Sequence, residues 1–264
     1  MTKLIIAIFS LLWIPLLALA QDADQNTADE SLFDLQVDEQ EKAWINVGEQ
    51  QELAFYLPAS SGAALNGVLL IPDIANHPAT FGSTNTMRIA LSKNHWHTLA
   101  LNMGYASEEH ALDLIAAGIQ FLNEKGVYNI AILGEGTGAA QAILYAAPKP
   151  SPDTEKDNKN EKNDQVRALI MINAKNSISN DETSILQNIS QITIPVLDAF
   201  SNGNYIEQRK AEERKNIARG KNDTIYHQVR LPQASGTQQN SDNRVTKRIR
   251  GWLDKNVADS AINR

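Results

Sequence analysis

The chain has 264 residues, a formal charge of −7 and no cysteine. That length suits one α/β domain with a sizeable core. The acidic balance argues against a general nucleic-acid binder, which needs clustered Lys and Arg to neutralise phosphates, and the missing cysteines exclude disulfides, thiolate metal sites and a cysteine nucleophile.

Residues 1–20 read as a secretory signal peptide, with Lys3 as its basic start, an apolar run over residues 4–17, and Ala18-Leu19-Ala20 as a small-x-small cleavage site. A membrane anchor is the alternative, but the apolar run is shorter than the ~20 residues of a spanning helix and no basic cluster follows it. Cleavage after Ala20 leaves 244 residues and takes the charge to −8, because Lys3 is the only charge removed. The expected location is periplasmic or secreted, with no transmembrane span after cleavage.

Residues 21–41 are acidic and polar with little periodicity, which predicts a flexible lead-in. A single domain is expected over residues 42–257, followed by a short tail over 258–264. It opens with alternating runs at 44–47 and 52–57 flanking Gly48-Glu49, an antiparallel hairpin. Gly67-Val68-Leu69-Leu70-Ile71 is continuously apolar, as in a strand covered on both faces, and Pro72 ends it. A helix is expected near 85–94, a strand over 96–102, and a helix over 108–125 that stops at Gly126.

Next come an apolar strand, a glycine-rich turn and a small-residue helix, YNIAILGEGTGAAQAILY over residues 128–145. Residues 150–165 are too charged and apolar-poor to pack and read as a disordered insertion. A strand is expected over 166–172, a weak helix or an irregular lead-in near 185–192, and another strand over 195–200. A charged surface helix over 206–219, a last strand over 224–231 and an amphipathic helix over 243–257 with Val245, Ile249 and Trp252 inward complete the chain. Strands alternating with helices predict a mostly parallel central sheet flanked by helices, joined by right-handed crossovers, with the hairpin at its start.

This order resembles the α/β-hydrolase fold. Read together, GVLLIPDIANHP, HWHTLALNMG, NIAILGEGTGA, ALIMINA, IPVLDAF and RIRGWL resemble an uncharacterised, α/β-hydrolase-like family of bacterial envelope proteins, catalogued as domain of unknown function 3530, over roughly residues 39–253. The resemblance implies the fold and a periplasmic address, and no established reaction.

Acyl transfer on that fold needs a nucleophile at the centre of G-x-S-x-G, a histidine after the last strand, an acid after a late strand, and backbone N–H donors for the oxyanion. The elbow here is Gly134-Glu135-Gly136-Thr137-Gly138, with glycine where the nucleophile belongs. Glycine keeps a strained turn at no steric cost and removes the hydroxyl. Thr137 stands one residue late and is expected to cap the following helix, with a surrogate nucleophile as the alternative. Glu135 is either a pocket-floor base or ligand-binding carboxylate, or a carboxylate stabilised by a helix dipole. The loop after the last strand has no histidine, His227 lies inside that strand, and 201–204 hold amides where an acid would orient imidazole, with Asp198 inside its strand.

His77, on the loop after the first parallel strand, is the best remaining histidine, with Asp73 on the same loop as a possible partner. His95 and His97 flank Trp96 at period-two spacing without an evident third ligand, so no metal is expected. Gly134, Gly136 and Ala139 also fit the dinucleotide fingerprint, but no strand ends in a ribose-binding acid ~20 residues on, and no cofactor is expected. The sequence therefore predicts a non-catalytic protein that binds a small ligand or an envelope partner, through the elbow or through the basic face of 208–221. The alternative is an unconventional hydrolase that uses His77, Asp73 or Glu135.

Overall fold

The computed structural model describes residues 37–61, 65–74, 76–79, 82–104, 106–148, 166–178, 182–201, 203, 205–219, 225–231 and 244–258. The expected signal peptide, most of the expected lead-in, all of the expected insertion at 150–165, the expected loop at 232–237 and nearly all of the expected tail lie outside the described residues. After a short 3-10 turn at Glu39–Glu41, the strands are β1 (Lys42–Val47), β2 (Gln50–Leu57), β3 (Asn66–Ile71), β4 (His97–Leu101), β5 (Asn129–Glu135), β6 (Val166–Ile172), β7 (Val196–Ser201) and β8 (Tyr226–Leu231). The helices are α1 (Ser83–Ser92), α2 (Glu108–Glu124), α3 (Thr137–Ala146), α4 (Glu182–Gln191), α5 (Tyr205–Ile217) and α6 (Arg244–Leu253), the last running into a π turn at Asp254–Ala258.

The eight strands form one sheet in the order β1-β2-β4-β3-β5-β6-β7-β8. β1 pairs antiparallel with β2 and β2 antiparallel with β4, while every other pair is parallel. The hairpin turns where expected, with Gly48 at φ 59, a left-handed angle that suits glycine. β3, β5, β6 and β7 are buried over nearly their whole length, because helices cover both faces of the parallel part. α1 and α6 contact one another, and α2, α3, α4 and α5 contact in series. Among the described residues no helix is long and apolar enough to cross a membrane.

Two helices depart from their sequence patterns. In α6 the buried residues are Thr246, Ile249 and Leu253, with Val245 and Trp252 only half-buried; just past the helix, Trp96 Nε1 donates to Asp254 Oδ1 at 3.0 Å. In α5, expected to be a surface helix, Ala211 and Arg214 are fully buried.

Candidate functional site

β3 and β5 end side by side, with Ile71 opposite Gly134, and β6 ends beside β5, with Ile172 opposite Glu135. The three strand ends bring Asp73, the 134–138 turn and Lys175 together at the carboxyl edge of the sheet, where parallel α/β sheets place their ligands.

Gly136 has φ 56 and ψ −114, a region in which an L side chain is strained. Its N–H donates to Ile172 O at 2.9 Å and its carbonyl accepts from Lys175 N at 3.1 Å, so the turn is fastened to β6 from both sides. The flanking glycines are needed for packing. A Cβ on Gly134 would lie 2.5 Å from Ala139 Cα, and one on Gly138 2.5 Å from Ile71 O.

Asp73 fills the space above Gly136. Its Oδ1 accepts the Thr137 N–H at 2.9 Å and the Ile74 N–H at 2.9 Å, and Lys175 Nζ stands 3.3 Å from the same oxygen. Lys175 Nζ also donates to Thr137 Oγ1 at 2.6 Å. A Cβ at position 136 would come within 2.7 Å of Asp73 Oδ1 and closer still to its Cγ and Oδ2. Burial raises the Asp73 pKa, but the Thr137 backbone and side-chain hydrogen bonds, the Ile74 N–H and the Lys175 charge more than offset it and hold the carboxyl below its ordinary value. The N–H after the elbow residue and an N–H from the loop after β3 are the two donors that hold an acyl oxyanion on this kind of scaffold. Both are engaged by a carboxylate of the chain itself.

Glu135 points elsewhere. Ser83 Oγ and Thr84 Oγ1, at the start of α1, both donate to its Oε2, the latter at 3.3 Å. Burial pushes its pKa up, the two hydroxyls pull it down, and the nearby Asp73 charge adds to the rise, leaving it above the ordinary value. Two neighbouring carboxyls with pKa values driven apart can divide the roles of proton holder and anion.

The expected cap at Thr137 is not formed. Gly136 occupies the capping position with no side-chain hydrogen bond, and Thr137 is the first helical residue. Its hydroxyl is turned to Lys175 and Asp73 instead, because that ion pair is a stronger partner than a helical N–H. Lys175 escaped the sequence reading. The available signal was a lysine three residues past the end of an apolar strand, on the edge where sites form.

His77 accepts the Ala79 N–H at its Nδ1 at 3.2 Å and meets the Phe55 ring edge-on at 5.2 Å. His95 and His97 do not share a strand: His95 sits in the preceding turn at φ 70 with Ser61 Oγ 2.9 Å from its Nδ1, whereas His97 opens β4 and bonds Tyr56 OH at 2.7 Å. Among the described residues no three His, Asp or Glu side chains gather closely enough to hold a metal ion. His227 is an exposed residue of β8.

Asp198, on β7, is fully buried and bound by Arg214, whose Nε and Nη2 donate to its two oxygens at 2.9 Å each. Tyr226 OH donates at 2.6 Å and Gln228 Nε2 at 3.0 Å. Arg214 Nη1 continues to Ala174 O at 2.7 Å and Asn176 Oδ1 at 2.9 Å. This acid is therefore closed off from any histidine by its own hydrogen bonds. Within the stretch read as a basic face, Arg214 turns inward, Arg209 and Lys210 pair with Glu213 and Glu207 on the helix itself, and Lys215 and Arg219 are exposed.

A family model described as "Protein of unknown function (DUF3530)" matches residues 2–112 and 104–255. The chain belongs to this DUF3530 family. No curated protein matches it. Among solved structures, it is similar to a dienelactone hydrolase from Anabaena variabilis, at 13% identity and a TM-score of 0.62 over 82% of this chain and 97% of that one. It is also similar to Est1E from Butyrivibrio proteoclasticus, at 14% identity and a TM-score of 0.59 over 82% and 99%. An esterase of Pyrococcus furiosus matches at 11% identity and a TM-score of 0.58 over 81% and 90%. This DUF3530 protein therefore has the α/β-hydrolase fold, as its strand order and elbow lead one to expect.

Proposed function

We propose that this protein is a periplasmic, non-catalytic member of the α/β-hydrolase fold that binds a small ligand or an envelope partner at its elbow. The observation that carries the reading is Asp73 Oδ1 accepting both the Thr137 and Ile74 N–H groups at 2.9 Å. An acyl oxyanion has no free donor pair there, and a nucleophilic side chain at 136 has no room. Glycine at 136, amides at Asn202 and Asn204, and the absence of histidine from 232–237 support the same conclusion. The periplasmic address is supported by the pattern of residues 1–20, and a mature N-terminus at Gln21 in an envelope fraction, read by mass spectrometry, tests it.

The test of the non-catalytic reading is a kinetic assay of residues 21–264 against short p-nitrophenyl esters. We expect no saturable turnover. Saturable turnover that disappears when Gly136 is replaced by valine would overturn the reading.

A second reading, an unconventional hydrolase using Asp73, Glu135 or His77, is favoured by the opposite pKa shifts of the two neighbouring carboxyls and by neighbours named as esterases and dienelactone hydrolases. It requires turnover that falls on Glu135→Gln or His77→Ala.

A further inference from the structure

Asp73 behaves in this structure as a bound anion. The groups around its carboxylate are the Thr137 N–H, the Ile74 N–H, the Lys175 ammonium and the Thr137 hydroxyl. Three of them, the Thr137 N–H, the Thr137 hydroxyl and the Lys175 ammonium, belong to α3 and to the chain after β6, and would stay in place if Asp73 rotated about its own side-chain torsions. The side chains of Asp73 and Lys175 are 28% and 40% exposed, so the cluster opens to solvent on one side and the aspartate has somewhere to turn. Glycine at 136 leaves the elbow without a side chain of its own, so the volume that Asp73 vacated would be empty. Ile74, exposed beside the cluster, offers an apolar contact for whatever carbon chain the incoming group carries.

We propose that the elbow is a carboxylate-recognition site in which Asp73 is the resident, exchangeable occupant, and that it takes a small monocarboxylate when Asp73 turns out. The exchange keeps one carboxylate on the cradle. One carboxylate leaves the Lys175 ammonium and the Thr137 N–H for water while another replaces it, so neither the lysine nor the amide is left unpaired. No bond is made or broken. The intramolecular competitor divides the intrinsic dissociation constant by the fraction of time the cradle stands free of it, which predicts a weak site in the native chain and a tighter one when the competitor is deleted.

The inference rests on the non-catalytic reading, and its experiment uses no ester. Butyrate is titrated into ¹⁵N-labelled residues 21–264 while the Thr137 and Ile74 amide resonances are followed. The native chain should show saturable shifts at Thr137. Asp73→Ala should bind roughly tenfold or more tightly, and adding Lys175→Met to Asp73→Ala should cost roughly tenfold of that gain. Asp73→Ser serves as the second variant where alanine unfolds the chain. Equal affinity in native and Asp73-substituted proteins, or shifts that rise linearly without saturation in both, would overturn the proposal. Ester turnover with intact butyrate exchange would sink the non-catalytic reading alone.

Discussion

Asp73 and Asp198 are both carboxylates held by a cation and several neutral donors, and they have opposite fates. Asp198 lies inside β7 at zero exposure, with Arg214 bidentate across it and Tyr226 and Gln228 completing its shell. Asp73 lies past the end of β3, meets a flexible lysine at 3.3 Å and keeps one side toward water. The planar guanidinium suits a sealed site because it satisfies both oxygens in one fixed geometry. The ammonium on its four-carbon stem suits an open one. A sealed pair fixes architecture, whereas an open pair can exchange partners.

The comparison breaks most sharply at Arg214. Arg214→Met leaves the Asp198 charge buried without compensation and should cost about 3–5 kcal/mol, measured by urea denaturation; Asp198→Leu combined with Arg214→Met should restore most of it. A loss below about 1 kcal/mol would mean that water reaches the pair and that the two sites differ less than described. The next effect is steric. Gly136→Ser places a side chain on Asp73 and on a strained backbone, costing about 1–3 kcal/mol. Removing Asp73 in the same protein should return part of that cost, so a double-mutant cycle should show non-additivity; additive losses would separate Asp73 from the elbow.

Lys175→Met should be milder, about 1 kcal/mol or less, because its ion pair is partly exposed. Glu135→Gln gives the smallest effect and the clearest sign. The raised pKa of Glu135 means that its stabilising contribution is complete below the unfolded value and is lost as pH rises through the folded one. The glutamine variant should therefore gain on the native chain as pH increases and lose its advantage in acid, as read by thermal melts across pH. Asp73, held below its ordinary value, contributes in the opposite sense: its stabilisation is present above the unfolded pKa and fades as pH falls through the folded one.

The parallel strands were legible because continuous apolar runs such as Gly67 to Ile71 and Ala168 to Ile172 have few other uses in a chain of this size. The elbow was legible for a related reason, since Gly134 and Gly138 mark where α3 touches β5 and β3 too closely for a Cβ. Arg214 was not. It sits in an alternating charged run that resembles a solvated helix face, and only a carboxylate on a neighbouring strand turns it inward. Lys175 was missed for the same physical reason, because its partner Asp73 lies 102 residues away and pairwise charge has no period. Asp73 was placed on the correct loop, but its engagement with the Thr137 and Ile74 amides depends on how β3 and β5 end in register.

The Thr137 amide gives this arrangement a clock. Exchange of that hydrogen with solvent is catalysed by hydroxide, which the Asp73 carboxylate both repels and displaces while it accepts the bond at 2.9 Å. The exchange rate of this one amide therefore counts the departures of Asp73 from the elbow, and it can be timed in the native chain with no ligand added.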